Sequence, residues 1–197
     1  MKKILLLGDS IRQCYDQYVR EELKDKADVR FHHDNGRFCQ YTLRYVHEWI
    51  NKLYEPEQRD IDIIHFNCGL WDVLRLTGDD DNLIPISSYA EQLTRIVHML
   101  KHLCPDAIIL FALTTPVIEP GFAPGPDIGI RLNADIKKYN ATAVDVLKPW
   151  EIGINDLWTT VSKAPKTVYS DQVHFQTELG IQTLGKAVSS FLIPYLE

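Results

Sequence analysis

The sequence predicts a three-layer α/β/α sandwich built on a five-stranded parallel sheet, and three observations carry that prediction. Short apolar runs recur along the chain without the polar alternation of a half-exposed strand, as expected of strands covered on both faces. Segments with apolar residues at helical spacing separate these runs, which is the order of a βαβ chain. No repeat, low-complexity stretch or polar linker interrupts the 197 residues, so residues 1–197 read as one domain, long enough to bury a substantial core. Right-handed crossovers among about five strands then leave the flavodoxin-like arrangement.

Lys3 to Leu7 is the first apolar run, closed by Gly8, and Ile11 to Lys26 is helix-like. Val29 to His32 reads as a short strand, followed by the turn Asp34-Asn35-Gly36. In Tyr41 to Leu53, the residues Leu43, Val46, Trp49, Ile50 and Leu53 fall at helical spacing. Ile61 to Phe66 is the next strand, ending in Asn67-Cys68-Gly69, and a long loop follows. A helix is expected from Ser87-Ser88 to about Leu103, closed by Pro105. Ala107 to Leu113 reads as a strand and Thr114 to Gly129 as a Pro/Gly-rich loop. Arg131 to Leu147 is then a helix, Gly153 to Leu157 a short strand, and Glu178 to Leu192 the last helix. In such sheets ligands bind beyond the carboxyl ends of the strands, where the winding direction switches. Ser10, Gly36, Gly69 and Thr114 each follow a strand end and are expected to share that rim.

The formal net charge of −6 argues against nucleic acid and against anionic membranes as partners, since both call for basic surface. No apolar segment approaches the length of a membrane span. Lys2 and Lys3 precede an apolar run too short for a signal peptide. Cys14, Cys39, Cys68 and Cys104 lack CxxC or zinc spacing and read as buried or half-buried free thiols of a cytoplasmic protein. His98 and His102 stand at i, i+4 with no third ligand in sight, so they read as a solvated helix face. His32 and His33 read as the polar end of a strand near the rim. Asp79 to Asp81 lack the glycine and closing glutamate of a calcium loop. Neither a metal nor an organic cofactor is expected.

Ser10, in Leu7-Gly8-Asp9-Ser10-Ile11, has two readings. A serine ahead of a helix is an expected N-cap, and Gln13 three residues on completes a capping box. A serine on the binding rim can equally be a nucleophile, which needs a base and a group that orients the base. His174, in Tyr169-Ser170-Asp171-Gln172-Val173-His174-Phe175, precedes the last helix and opens on the same rim. Asp171 lies three residues before it, so one turn can present both side chains, the carboxylate on one ring nitrogen and the serine on the other.

These residues resemble the SGNH, or GDSL-type, hydrolase superfamily. Gly8-Asp9-Ser10 is similar to its nucleophile block and Asp171-Gln172-Val173-His174 to its terminal DxxH block. Gly36 suits the glycine whose N–H helps form the oxyanion hole, and Asn133-Ala134-Asp135-Ile136 with Tyr139-Asn140 resembles the penultimate helix. The resemblance spans Gly8 to the last helix and implies the SGNH fold. With the order and spacing of the blocks it selects the nucleophile reading of Ser10, with the helix N-terminus close by. One block departs: the usual GxND is Gly69-Leu70-Trp71-Asp72 here, with Trp71 where an oxyanion-holding asparagine is expected. Asn67 at the end of the same strand can supply a side-chain donor, and so can the Trp71 indole N–H, although its bulk suits it better to walling an acyl pocket.

The resemblance implies a serine hydrolase that cleaves small-molecule carboxylic esters, without choosing among lipase, acetylesterase, thioesterase and acyltransferase activities; the bulk of Trp71, which can close off a long acyl channel, favours a short acyl or O-acetyl group. Catalysis falls to Ser10, Asp171 and His174, the oxyanion to the Ser10 and Gly36 N–H groups with Asn67, and substrate contact to Trp71 and Phe122. Phe122 and Ile118 lie in a loop long enough to act as a substrate wall. Cys14, one turn beyond Ser10, is expected to pack and not to react. Two alternatives stay open: an acyltransferase of the same fold, and a binding module whose oxyanion site is impaired.

Overall fold

A computed structural model describes residues 1–54, 60–120 and 129–197. In chain order the strands are β1 (Lys2–Leu7), β2 (Ala27–Phe31), β3 (Ile63–Phe66), β4 (Arg75–Leu76), β5 (Ile108–Ala112), β6 (Gly129–Ile130) and β7 (Gly153–Asn155). The helices are α1 (Ser10–Glu22), α2 (Cys39–Leu53), α3 (Ile86–Leu103), α4 (Asn133–Leu147), α5 (Leu157–Ser162) and α6 (Glu178–Leu192).

Five strands form a parallel sheet in the order β2-β1-β3-β5-β7. The apolar run of β1 is central, pairing Ile4 with Val29 on one side and with Ile63 on the other. Ile4 to Leu7 and all of β3 are therefore buried, which is why neither alternates with polar residues. At the sheet edge, β2 does alternate: Ala27, Val29 and Phe31 point inward while Asp28 and Arg30 pair with each other at 2.8 Å. Charge on an exposed edge discourages pairing with another chain. Helices α1, α5 and α6 pack in one series and α2, α3 and α4 in another, flanking the sheet. The chain leaves β1 for β2, then crosses back to β3 on the other side of β1. The winding direction reverses at β1, and the residues just after β1 are Gly8, Asp9 and Ser10.

The parallel sheet and sandwich agree with the sequence reading, while several local details differ. Helix α4 starts at Asn133, leaving Arg131 outside it, and β7 stops at Asn155, short of the expected Leu157, because the Asp156 carboxylate caps α5, a helix the sequence reading did not place. The two-residue strands β4 and β6 add a small antiparallel pair that pairs Arg75 with Ile130 and Leu76 with Gly129. His32 is not a polar strand terminus: it is buried, stacked on Trp49 with centroids 4.0 Å apart, and burial pushes its imidazole down to about 3. The four cysteines are buried and unbridged. Asp79 to Asp81 and the His98–His102 face are exposed. Among the described residues, no helix is long and apolar enough to cross a membrane.

Candidate active site

The turn out of β1 depends on Gly8. Its φ is +150°, and a Cβ there would lie 1.9 Å from Asn67 Oδ1. Only glycine lets the chain turn with Asn67 packed against it. Asp9 follows and is the N-cap of α1: its Oδ1 accepts the Ile11 N–H at 2.9 Å and the Asn67 side-chain amide at 2.9 Å. This corrects the capping-box reading of Ser10 and Gln13. With the cap supplied by Asp9, the Ser10 hydroxyl is left for another partner. Asp9 is fully buried, its Oδ2 has no hydrogen-bond partner, and burial raises its carboxyl pKa against the lowering effect of the Asn67 and Ile11 hydrogen bonds. Cys14 Sγ–H donates to the Ser10 carbonyl at 3.2 Å, and burial pushes its thiol up to about 11, so it packs as expected.

The partner of the Ser10 hydroxyl comes from the loop before α6. Val173 and Phe175 anchor that loop in the core, and the Ser170 N–H closes it by donating to the His174 carbonyl at 2.8 Å. Asp171 Oδ1 accepts the N–H groups of Val173 and His174 at 2.6 and 2.8 Å, while Oδ2 faces His174 Nδ1 at 2.8 Å. His174 Nε2 stands 2.9 Å from Ser10 Oγ. Burial opposes the charge on Asp171, but the two backbone N–H groups and the His174 ring hold its carboxyl below the ordinary value. An ionised Asp171 can only accept, so a neutral His174 carries its proton on Nδ1 and Nε2 accepts from the Ser10 hydroxyl. Such a line of hydrogen bonds can deprotonate a serine as it attacks a carbonyl and return the proton to a leaving group.

Gly36 lies against the same turn. Its N–H donates to the Gly8 carbonyl at 2.8 Å, and a Cβ at Gly36 would meet that peptide at 2.8 Å. The N–H expected at the oxyanion is thus engaged within the turn. Of the two Asn67 amide hydrogens, one is engaged by Asp9. The Ser10 N–H lies in the first turn of α1, where backbone donors have no helical acceptor. Trp71 is half-buried, with the Arg131 guanidinium 5.6 Å over its ring. Phe122 lies outside the described residues. Gly69 and Thr114 do meet at the rim, with a Cβ at Gly69 falling 2.8 Å from Thr114 Oγ1. Asn140 and Asn133 of α4 clamp the loop after β5: each amide exchanges two 2.9 Å hydrogen bonds, with the Thr114 and Val117 backbones respectively.

Two residues of the site escaped the sequence reading. Asp9 stood in the Gly8-Asp9-Ser10 block, but its role as the cap of α1 was not read. Arg131 was signalled by a lone charge between Ile130 and Leu132, which is unusual unless the side chain has a buried role.

No protein-family model matches the chain, and no curated protein does. Solved structures do match over nearly its whole length. A lipase/acylhydrolase from Enterococcus faecalis superposes with a TM-score of 0.76 at 18% identity, over 100% of this chain and 98% of that one. The acetylxylan esterase Axe2 from Geobacillus stearothermophilus gives 0.70 at 16% identity, over 97% and 94%. A member of the lipolytic G-D-S-L family from Veillonella parvula gives 0.68 at 18% identity, over 96% and 97%. The likeness read from the residue blocks therefore extends to the whole backbone, and the chain has the fold of the GDSL-type lipases and esterases.

Proposed function

We propose that this protein is a serine hydrolase that cleaves carboxylic esters, with short acyl or O-acetyl groups preferred. The observation that carries the proposal is the unbroken line from Ser10 Oγ to His174 Nε2 at 2.9 Å and from Nδ1 to Asp171 Oδ2 at 2.8 Å. Its place at the switch point of the sheet supports the same reading. So does the fold shared with structures described as lipases and acetylxylan esterases.

In this reading His174 takes the Ser10 proton as Oγ attacks the ester carbonyl. The carbonyl carbon becomes tetrahedral, and its oxygen carries the negative charge. The Ser10 N–H holds that oxygen at the positive end of α1, with the free Asn67 amide hydrogen and Gly36 beside it. Donation by Gly36 requires its bond to the Gly8 carbonyl to be exchanged. His174 then protonates the departing alcohol, and water removes the acyl group from Ser10 by the same route. Asp171 fixes the tautomer and stabilises the imidazolium formed on the way. Trp71 closes one side of the acyl pocket, which favours small acyl groups.

A panel of p-nitrophenyl esters of graded chain length tests the reading. Turnover highest for acetate and falling with chain length supports it, and no turnover of any ester contradicts it. Acyl transfer to an added alcohol in preference to water would make the protein an acyltransferase.

A further inference from the structure

Arg131 is 2% exposed, and its guanidinium is held from two sides. Its Nε–H donates to the Leu70 carbonyl at 2.8 Å, and the group lies over the face of Trp71. Both contacts are to the Gly69-Leu70-Trp71-Asp72 segment, where a tryptophan stands in place of the asparagine of the resembling family. Nη1 is buried and has no hydrogen-bond partner among the described residues. Burying a guanidinium without a counter-ion is costly, and such groups are normally paired. The other buried arginine among the described residues follows that rule: Arg12 pairs with Asp16 at 2.6 Å and donates to the Asp34 carbonyl at 2.8 Å. Arg131 makes no ion pair among the described residues, although it feels the carboxyl groups of both Asp9 and Asp171. Those two residues flank the Ser10–His174 pair.

The charges of the reaction leave one gap that Arg131 fits. When Ser10 attacks, Asp171 and the imidazolium of His174 balance each other, and the oxyanion forms beside the carboxyl of Asp9. Neutral donors there are few: the Gly36 N–H is engaged by Gly8, one Asn67 hydrogen by Asp9, and Gly69-Leu70-Trp71-Asp72 has no asparagine. We propose that Arg131 acts by charge: held against the Gly69-Leu70-Trp71-Asp72 segment without an ion-pair partner among the described residues, it stabilises the oxyanion in place of the missing asparagine. This rests on the esterase reading of the same site. A cation clamped by Leu70 and Trp71 needs no reorganisation during the reaction, and in a low-dielectric site its effect does not require a direct hydrogen bond.

Charge and hydrogen bonding are separated by Arg131→Gln, which keeps a donor but loses the charge, and Arg131→Lys, which keeps the charge. With p-nitrophenyl acetate, Arg131→Gln is expected to lower kcat about 10²-fold with KM nearly unchanged. Arg131→Lys is expected to recover at least about a tenth of the wild-type kcat. Affinity for phenylboronic acid, whose tetrahedral adduct on Ser10 is anionic, should fall in Arg131→Gln by a factor parallel to the loss in kcat. Wild-type kcat in Arg131→Gln overturns the proposal. So does equal damage in the two variants accompanied by equal loss of thermal stability, which makes the role one of packing. A loss confined to KM for an ester bearing a free carboxylate, such as mono-p-nitrophenyl succinate, makes Arg131 a substrate anchor and likewise overturns it. A wild-type protein inert toward both esters and fluorophosphonates fails at the esterase reading itself. Normal wild-type activity with an indifferent Arg131→Gln fails at this inference alone.

Discussion

Ser10 Oγ and His174 Nε2 stand 2.9 Å apart although 164 residues separate them in the chain. Two unrelated local structures deliver them to that distance. The Gly8 turn starts α1 at Ser10, and the Asp171 carboxylate folds the loop before α6 by accepting two of its backbone N–H groups.

Ser10→Ala and His174→Ala should each lower kcat on a reactive ester by at least about 10³, with circular dichroism unchanged. The two losses should not add in the double variant, because the residues act as one unit. Near-normal turnover in Ser10→Ala contradicts the mechanism.

Asp171→Asn should be about as damaging as loss of His174, because an amide can present its NH₂ to Nδ1 and turn the wrong tautomer toward Ser10. The same carboxylate orders the loop through the Val173 and His174 N–H groups, and an asparagine oxygen can still accept those. Asp171→Asn is therefore expected to lose activity with little loss of thermal stability. Asp171→Ala should lose both.

Asn67→Ala and Trp71→Ala should separate by kinetics. Removing the Asn67 amide should lower kcat about 10²-fold while leaving KM little changed, as expected of a bond that strengthens in the transition state. Asn67 also holds Asp9, so a melting temperature must accompany the rates. Trp71→Ala should instead shift preference toward longer acyl chains. Loss of all activity in Trp71→Ala with a silent Asn67→Ala reverses these roles.

Asp72 makes a prediction about stability. It is fully buried, its Oδ1 accepts the Cys39 N–H at 3.0 Å, and its Oδ2 has no partner. Burial pushes its pKa up to about 6, against the lowering effect of the Cys39 hydrogen bonds. A raised carboxyl pKa means that the folded chain holds a proton which the unfolded chain has released. This residue's contribution is therefore fully present below about pH 4 and is lost as pH rises through about 6. Relative to Asp72→Asn, the wild type should lose on the order of 3 kcal/mol across that window, with the two alike at pH 4. Denaturant melts from pH 4 to 7.5 measure this, and a difference independent of pH contradicts it.

The sheet was legible because its strands are buried on both faces and so read as unbroken apolar runs. Asp171 and His174 were legible as a pair because they stand three positions apart in one loop. The cap of α1 was not. Whether Asp9 or Ser10 caps depends on the turn at Gly8, and Asn67, far along the chain, shapes that turn. Helix α5 is a six-residue helix, too short to show an apolar period, and the β4–β6 pair is a non-local contact between two-residue strands. The start of α4 was misread because Leu132 caps it without a side-chain hydrogen bond, leaving no local signal. That error placed Arg131 on a helix and hid its place over Trp71.

The central claim is that Ser10 is an activated nucleophile, and covalent labelling measures it most directly. Treatment with a fluorophosphonate, followed by intact-mass measurement and peptide mapping, should show one adduct per chain on Ser10. It should form far more slowly in His174→Ala and not at all in Ser10→Ala. A wild-type protein that takes up no label, or that is labelled at another residue while Ser10 stays free, contradicts the account.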